Sequence, residues 1–349
     1  MTMLASGRAP TIIEVAARAG VSKSLASRAL RGERGVADET RRRIHVAAAE
    51  LGYRINSAAR SLARGRSGIV GVVLNDIGNP HFTGVVAGVE AEARERGLRT
   101  IIGHGADSPP ELTRQIETML ELRVDGIVVV SSWTPVDVLA RAGKATPIAV
   151  VARLATPPEE VDMIASDDLS GARAAAEHLL AIGRRRIAYV TRSTSATSDA
   201  RARGTRAALN HVGLDLEVHR VEREDSGAVA RILSSGVDAV LANNDLMATE
   251  ILRVAHEHDI GVPDDVALVG YDDTPIARLL SPALTSVNQP QRAMGRRAIE
   301  CIAERHDGRS DAVRAWYEPT LLVRGSTLSR RSDAAQAATG AHAARRVAV

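Results

Sequence analysis

From residue 69 onward the chain repeats one rhythm, a short apolar strand-like run followed by an amphipathic helical stretch. That rhythm fixes the fold class. The runs are GIVGVVL (68–74), RTIIGH (99–104), GIVVVS (126–131), IAVVA (148–152), RIAYV (186–190), AVLAN (239–243) and VALVGY (266–271). Helical patterns such as FTGVVAGVEAEARERG, ELTRQIETMLEL and SGARAAAEHLLAIG separate most of them. Near-continuous apolar strands alternating with helices mean parallel sheets covered on both faces. The spacing predicts two successive doubly wound units, roughly 69–165 and 166–287. Ligands in such folds sit beyond the carboxyl ends of the strands, so a pair of units makes a cleft. A further helix, QRAMGRRAIECIAERH, starts at Gln289-Pro290, and a last strand-like run, EPTLLVRGST, follows; both are expected to return onto the two units. With one Phe, two Trp and four Tyr in 349 residues, the core must be built from Ala, Val, Leu and Ile.

The stretch before residue 69 has a different grammar. Thr11 and Glu14 form a capping box that starts a helix with apolar Ile12, Val15, Ala16 and Ala19. Gly20 ends it, because glycine tolerates the left-handed backbone of a helix terminus. Ser22 then caps a second helix, KSLASRAL, so the two must cross steeply in a helix-turn-helix arrangement. Lys23, Ser24 and Arg28 on that second helix are the side chains able to reach base edges in a major groove. A third helix, roughly 38–51, brings Ile44, Val46, Ala47 and Leu51 to a small core, with Asp38 serving as its cap in place of Ala37. Its Arg41, Arg42 and Arg43 suit phosphate contact or plain solubility. Asn56 or Ser57 can cap a short helix, Ala58–Ala63, with Leu62 as its one large apolar side chain; so short a helix needs DNA or a second subunit to fold against. Gly65, Ser67 and Gly68 make a flexible join.

Charge supports the division. Residues 1–66 carry 13 Lys/Arg and 5 Asp/Glu, a net of +8, while the rest carries 32 and 37, a net of −5. A basic end on a mildly acidic body is the asymmetry expected when one end meets nucleic acid; a solvated face in an Arg-rich composition is the plainer alternative. Cys301, the lone cysteine, reads as a small buried hydrophobe. No signal-like segment and no run of 18 apolar residues occurs, so the protein is expected to be cytoplasmic, nucleoid-associated and without a membrane partner. No GxGxxG after a strand, Walker A, GxSxG or HExxH motif is present, so no enzyme activity and no cofactor or metal is expected. His256 and His258, two apart on a helix, face different directions.

Taken in order, these features resemble the lactose-repressor (LacI/GalR) family of bacterial transcription regulators over about residues 11–328. The markers are TIIEVAARAGVS, ELGYRINSAARSLARGRSGIVGVVL, NPHF (79–82), GARAAAEHLLAIGRRRIAYV, NNDLMA (243–248), VGYDDTPIARLLSPALTSVNQP (269–290) and LLVRGST. The resemblance implies an α/β chain with an N-terminal all-α helix-turn-helix head and hinge helix, then two doubly wound parallel-sheet subdomains of periplasmic-binding-protein-like fold. The expected division is a disordered lead 1–10, a head 11–55, a hinge 56–68, a core 69–330 and a disordered tail 331–349. Within the core the subdomains are about 69–165 plus 290–317, and 166–289 plus 318–330. The implied function is a ligand-responsive repressor of carbohydrate-utilisation genes, a homodimer on a pseudo-palindromic operator; the tail lacks the leucine heptad that makes tetramers.

The DNA-contacting residues the resemblance implies are Thr11, Ser22, Lys23, Ser24, Ser27 and Arg28, with Asn56, Ala59 and Leu62 in the hinge. Leu62 falls where hinge helices wedge into the minor groove, packing being the alternative. The implied effector-binding residues are Phe82, Arg153, Arg201, Asn244, Asp272 and Gln289; capping or a surface ion pair is the ordinary role of each alone. Trp133 offers a stacking face for a sugar or else a surface anchor. Asp273 reads as a structural turn residue. Leu25-Ala26 departs from the family's usual Thr-Val, and Thr205 stands where an aromatic is common, which leaves the ligand class open between sugar and nucleobase or nucleoside. A periplasmic solute-binding protein is the rival reading.

Overall fold

The structure, a computed structural model, describes residues 10–30, 32–53, 66–222, 225 and 227–328. They form two units, divided at Ser67–Gly68. The expected hinge helix, most of the lead and the tail lie outside the described residues.

The smaller unit holds α1 (Ile12–Ala19), α2 (Lys23–Leu30) and α3 (Asp38–Glu50). The capping box at Thr11 and Glu14 is present, and Gly20 closes α1 at φ 66°. Val15, Ala26, Ala29 and Ile44 are fully buried between the three helices. Leu25 also packs against this cluster, so the Leu25-Ala26 departure falls on the inward side of α2. Three expectations are corrected. Val46 is 51% exposed and belongs to no core. Asp38 is the first residue of α3 and supplies no cap; Ala37 occupies that position with no side-chain bond. Arg41 and Arg43 act as ties: Arg41 donates to the carbonyls of Ala29 (3.4 Å) and Glu33 (3.0 Å), and Arg43 to that of Ala19 (2.5 Å). Cations placed there interact favourably with carbonyls at the carboxyl ends of α1 and α2 and, at Glu33, in the loop after α2.

The larger unit contains two six-stranded sheets. The first runs β11-β5-β4-β3-β1-β2, from β1 (Ile69–Leu74), β2 (Arg99–His104), β3 (Gly126–Val130), β4 (Ile148–Val151), β5 (Val161–Ser166) and β11 (Arg314–Tyr317). The second runs β12-β10-β9-β8-β6-β7, from β6 (Ile187–Thr191), β7 (Glu217–Arg220), β8 (Ala239–Ala242), β9 (Ala267–Asp272), β10 (Thr285–Asn288) and β12 (Thr320–Leu322). All pairings are parallel except β10 with β12. Helices cover both faces of each sheet. Along β3, Val128 and Val130 join one core cluster while Ile127 and Val129 join another, which is why the strand is apolar throughout. Cys301 is fully buried in the first of these clusters. Four strands escape the sequence reading: β5, β7, β10 and β11. Among the described residues no helix is long and apolar enough to cross a membrane.

The chain crosses between the sheets three times: from β5 to α7 (Asp168–Ala181), from β10 to α12 (Gln291–His306), and from β11 to β12. Helix α12 returns onto the first sheet, against α4 (Pro80–Glu95). The two helices meet backbone to backbone: a Cβ on Gly88 would strike the Arg292 carbonyl, and one on Gly295 the Val85 carbonyl. Mid-helix Gly→Ala exchange ordinarily stabilises by about 0.5–1 kcal/mol. Gly88→Ala or Gly295→Ala should instead destabilise the unit by roughly 1–3 kcal/mol, read as a lowered urea midpoint; an unchanged or raised midpoint would contradict the close crossing.

Candidate functional site

The head presents Ser22, Lys23 and Ser24 exposed at the start of α2. Ser22 Oγ accepts from the Leu25 amide at 3.2 Å, so its side chain serves the cap. Thr11 is likewise engaged, its hydroxyl donating to Glu14 at 2.9 Å. Ser27 is half-buried. Arg28 is also half-buried, its guanidinium donating to the Arg34 carbonyl at 3.0 Å and lying 3.7 Å from Glu33. Reaching a base would require Arg28 to leave that loop, whereas Lys23 and Ser24 already face solvent. Asn56, Ala59 and Leu62 lie outside the described residues.

In the larger unit a cavity of about 320 Å³ opens between the carboxyl ends of the two sheets. Phe82, Trp133, Arg153, Arg201, Asn244, Asp272 and Gln289 all line it. The first sheet delivers Phe82 at the start of α4 after β1, Trp133 after β3 and Arg153 after β4. The second delivers Arg201 on α8 (Ala196–His211), Asn244 after β8, Asp272 at the end of β9 and Gln289 after β10. A polar cavity at strand ends is where this architecture places a ligand.

Arg201 is the centre of the cluster and is almost wholly buried. Its Nε donates to Asp168 Oδ1 at 3.0 Å, its Nη2 lies 3.6 Å from Asp272, and its guanidinium stacks 3.5 Å from the Tyr271 ring centroid. Gln289 Nε2 donates to Asp272 at 2.6 Å. Asp272 takes φ 100°, a backbone that L residues rarely adopt; such strain at a cleft points to a functional position. Arg153 lies over the Trp316 ring at 4.5 Å and donates from Nε to Asp168 Oδ2 at 3.4 Å. Trp133 donates from Nε1 across the cavity to Ser193 Oγ at 3.3 Å. Asn244 caps α10 (Asp245–Glu257), its Oδ1 accepting from Met247 at 2.9 Å. Asp273 lines no part of the cavity; it is buried and paired with Arg324 at 2.6 Å.

Three neighbours escape the sequence reading. Asp168, 2% exposed, is held by both arginines. Its only sequence signal is the Asp167-Asp168 pair before an Ala-rich helix, which reads as an ordinary helix start. His81 stands in the quoted NPHF motif beside Phe82, its ring edge-on to that phenyl at 5.4 Å. Burial, with the charge of Arg201, takes its imidazole down to about 4, so it is neutral near pH 7. The buried His81 Nδ1 and Ser166 Oγ have no hydrogen-bond partner, and both residues line the cavity. Unsatisfied groups of this kind are costly unless a ligand or water pairs them. Asp245, behind the site, is the third: it accepts from the Thr274 amide at 2.7 Å and the Ser286 hydroxyl at 2.6 Å, fixing the turn after Asp272.

Burial pushes the Asp272 carboxyl up to about 7 against the pull of Arg201, and burial with the charge of Asp272 does the same to Asp245. A carboxyl whose folded value exceeds its unfolded value takes up a proton on folding, so its contribution is present at low pH and lost as pH rises through about 7. The melting temperature of the wild type relative to Asp272→Asn should therefore rise as pH falls from 8 to 5. A difference independent of pH would contradict the buried, proton-binding carboxyl.

A helix-turn-helix unit followed by two parallel α/β subdomains around a polar cleft defines a class: a ligand-binding body of periplasmic-binding-protein type that carries a DNA-binding head. Comparison with known proteins agrees. Residues 11–56 match the model for bacterial regulatory proteins of the lacI family, and residues 176–327 that for a periplasmic binding protein-like domain. The chain is 35% identical to the HTH-type transcriptional regulator CelR of Thermobifida fusca, covering 91% of this chain and 98% of that one. It is 32% identical to the HTH-type transcriptional regulator GalR of Escherichia coli K12, covering 94% and 99%. Among solved structures, a CelR–cellobiose complex superposes with TM-score 0.67 at 31% identity over 91% of this chain and 99% of that one. The lac repressor dimer bound to operator and the anti-inducer ONPF superposes with TM-score 0.80 at 24% identity, over 92% and 100%, and shares the fold. The chain belongs to the LacI family and is a ligand-responsive, HTH-type transcriptional regulator.

Proposed function

We propose that this regulator is a homodimeric repressor of carbohydrate-utilisation genes whose cleft takes a sugar effector. The observation that carries the reading is the set of paired hydrogen-bonding groups, Arg201, Asp168, Asp272 and Gln289, facing one cavity that the Trp133 indole also lines. Planar donors and carboxylate acceptors suit vicinal hydroxyls, and an aromatic face suits the C–H side of a sugar ring. The cellobiose carried by the CelR relative supports the same class. Phe82, Arg153 and Asn244 complete the proposed lining.

The mechanism follows from where the cluster sits. Asp168 is one residue past the crossover from β5, and Trp316 belongs to the strand before another crossover. A ligand that competes for Arg201 disturbs Asp168, and through it Arg153 on Trp316. Such a ligand shifts the two subdomains toward whichever arrangement it binds better. Lys23 and Ser24 would read the operator's major groove, and a homodimer would present two copies to a pseudo-palindromic site.

Gel shifts on the DNA upstream of the coding region test the regulator. Wild type should prefer one palindromic segment over random DNA at physiological salt, and Lys23→Ala should weaken that binding about tenfold with no effect on sugar-induced thermal stabilisation. Binding of random DNA equal to that of any upstream segment would refute the operator reading. Trp133→Ala should lower sugar affinity about tenfold while operator affinity without sugar stays at the wild-type level; unchanged sugar affinity would make Trp133 a surface anchor.

A further inference from the structure

Each cation on the cleft wall already has a carboxylate. Among the described residues the cavity is lined by three arginines: Arg153, Arg192 and Arg201. Arg201 is shared by Asp168 and Asp272, and Arg153 is held by Asp168 and Asp167. Arg192 makes two contacts of 2.7 Å with Glu250, outside the cavity. Against the three arginines the wall carries four aspartates, Asp76, Asp107, Asp168 and Asp272, the last only partly charged near pH 7 because burial pushes its carboxyl up to about 7. His81, taken down to about 4 by burial and Arg201, adds no positive charge near pH 7.

The other common route to anion binding, open amides at helix N-termini, is occupied at four helices. Four of the helices that begin near the cavity have their own side-chain acceptor, whereas α12, which follows the lining residue Gln289, has none at its Pro290 cap. Asn79 accepts from the His81 amide at 3.0 Å and Asp167 from Ser170 at 3.3 Å. Ser195 accepts from Ser198 at 3.3 Å and Asn244 from Met247 at 2.9 Å. One of the four caps is itself an aspartate, followed directly by Asp168.

From this charge arrangement we infer that the cleft selects uncharged carbohydrate and rejects sugar acids and sugar phosphates, with Asp168 as the specificity-determining residue. The inference rests on the carbohydrate reading above and narrows it. Asp168 does this by holding the Arg201 and Arg153 guanidinium groups together. An anionic ligand reaching either arginine meets a carboxylate it must displace inside a low-dielectric pocket, so discrimination comes from repulsion as much as from attraction. A neutral polyol can share the hydrogen bonds of these pairs without bringing a charge that must be compensated.

Thermal shift and titration calorimetry on the full-length protein test this with matched probes. Cellobiose, glucose, galactose, xylose and ribose are each set beside an acidic counterpart: cellobionate, gluconate, galacturonate, xylonate and ribose 5-phosphate. For whichever neutral sugar binds, the acid should bind at least about tenfold more weakly. Asp168→Asn should shrink that ratio about tenfold by improving the acid. Because Asp168 also supports Arg201, Glu250→Gln provides a second arm: it releases Arg192 at the cavity wall without touching the buried cluster, and should likewise improve the acid alone. An acid that binds the wild type as tightly as its neutral partner overturns the inference and leaves the carbohydrate reading standing. Ratios unchanged in both variants overturn the role of charge pairing. Absence of binding by every probe, neutral and acidic, overturns the carbohydrate reading and this inference with it.

Discussion

The body of this regulator depends on how the Arg201 guanidinium is neutralised. A buried cation is expensive unless it is paired and hydrogen-bonded, and this one is enclosed by Asp168, Asp272 and the Tyr271 ring. Those partners come from α7, β9 and the end of β9, while Arg201 itself rides on α8. The pairing therefore fixes the relation of the helices to the sheet of the second subdomain. Through Asp168 and Arg153 it also reaches the first subdomain, on the residues just past a crossover. The cleft's chemistry and its mechanics share one set of charges.

That sharing explains why the site is strained. Asp272 holds a positive φ and a carboxyl pushed up to about 7 by burial; Asp245 behind it accepts three hydrogen bonds that lock the adjoining turn. Two polar atoms at the cavity, His81 Nδ1 and Ser166 Oγ, have no hydrogen-bond partner. A fold relaxed in one state would bury fewer such groups. A fold that changes state when a polyhydroxylated ligand satisfies them has a use for each.

The alternating rhythm made the two-sheet architecture legible because β1, β3, β4, β6, β8 and β9 are buried on both faces. The strands it hid are those whose polar residues are balanced elsewhere. In β5, Asp162 is fully buried at the strand's second position, and its partners Arg305 and Arg309 come from more than 140 positions away, a distance no local pattern spans. In β10, Thr285 and Ser286 are buried on hydrogen bonds to the Thr327 and Asp245 side chains. Strands β7 and β11 are four-residue strands at sheet edges; β7 exposes Glu217 and Arg220, and β11 is half-buried with Trp316 exposed, so neither shows the continuous apolar run of the central strands. The same cause hid Asp168: a carboxylate before a helix reads as a cap until the fold brings two arginines to it. In the head, Val46 looked like core because it is apolar and sits between Ile44 and Ala47, but at two residues from one and one from the other it falls off the i, i+3 stripe those two share, while the ties made by Arg41 and Arg43 depend on where α1 and α2 end.

The central claim is that cleft occupancy and operator grip are two readouts of one equilibrium, and thermodynamic linkage makes it testable in both directions. Operator affinity is measured with and without a saturating sugar, and affinity for the same sugar with and without saturating operator. The account predicts that the two affinity ratios are equal and differ from one. A sugar that binds the cleft tightly and leaves operator affinity unchanged would contradict it.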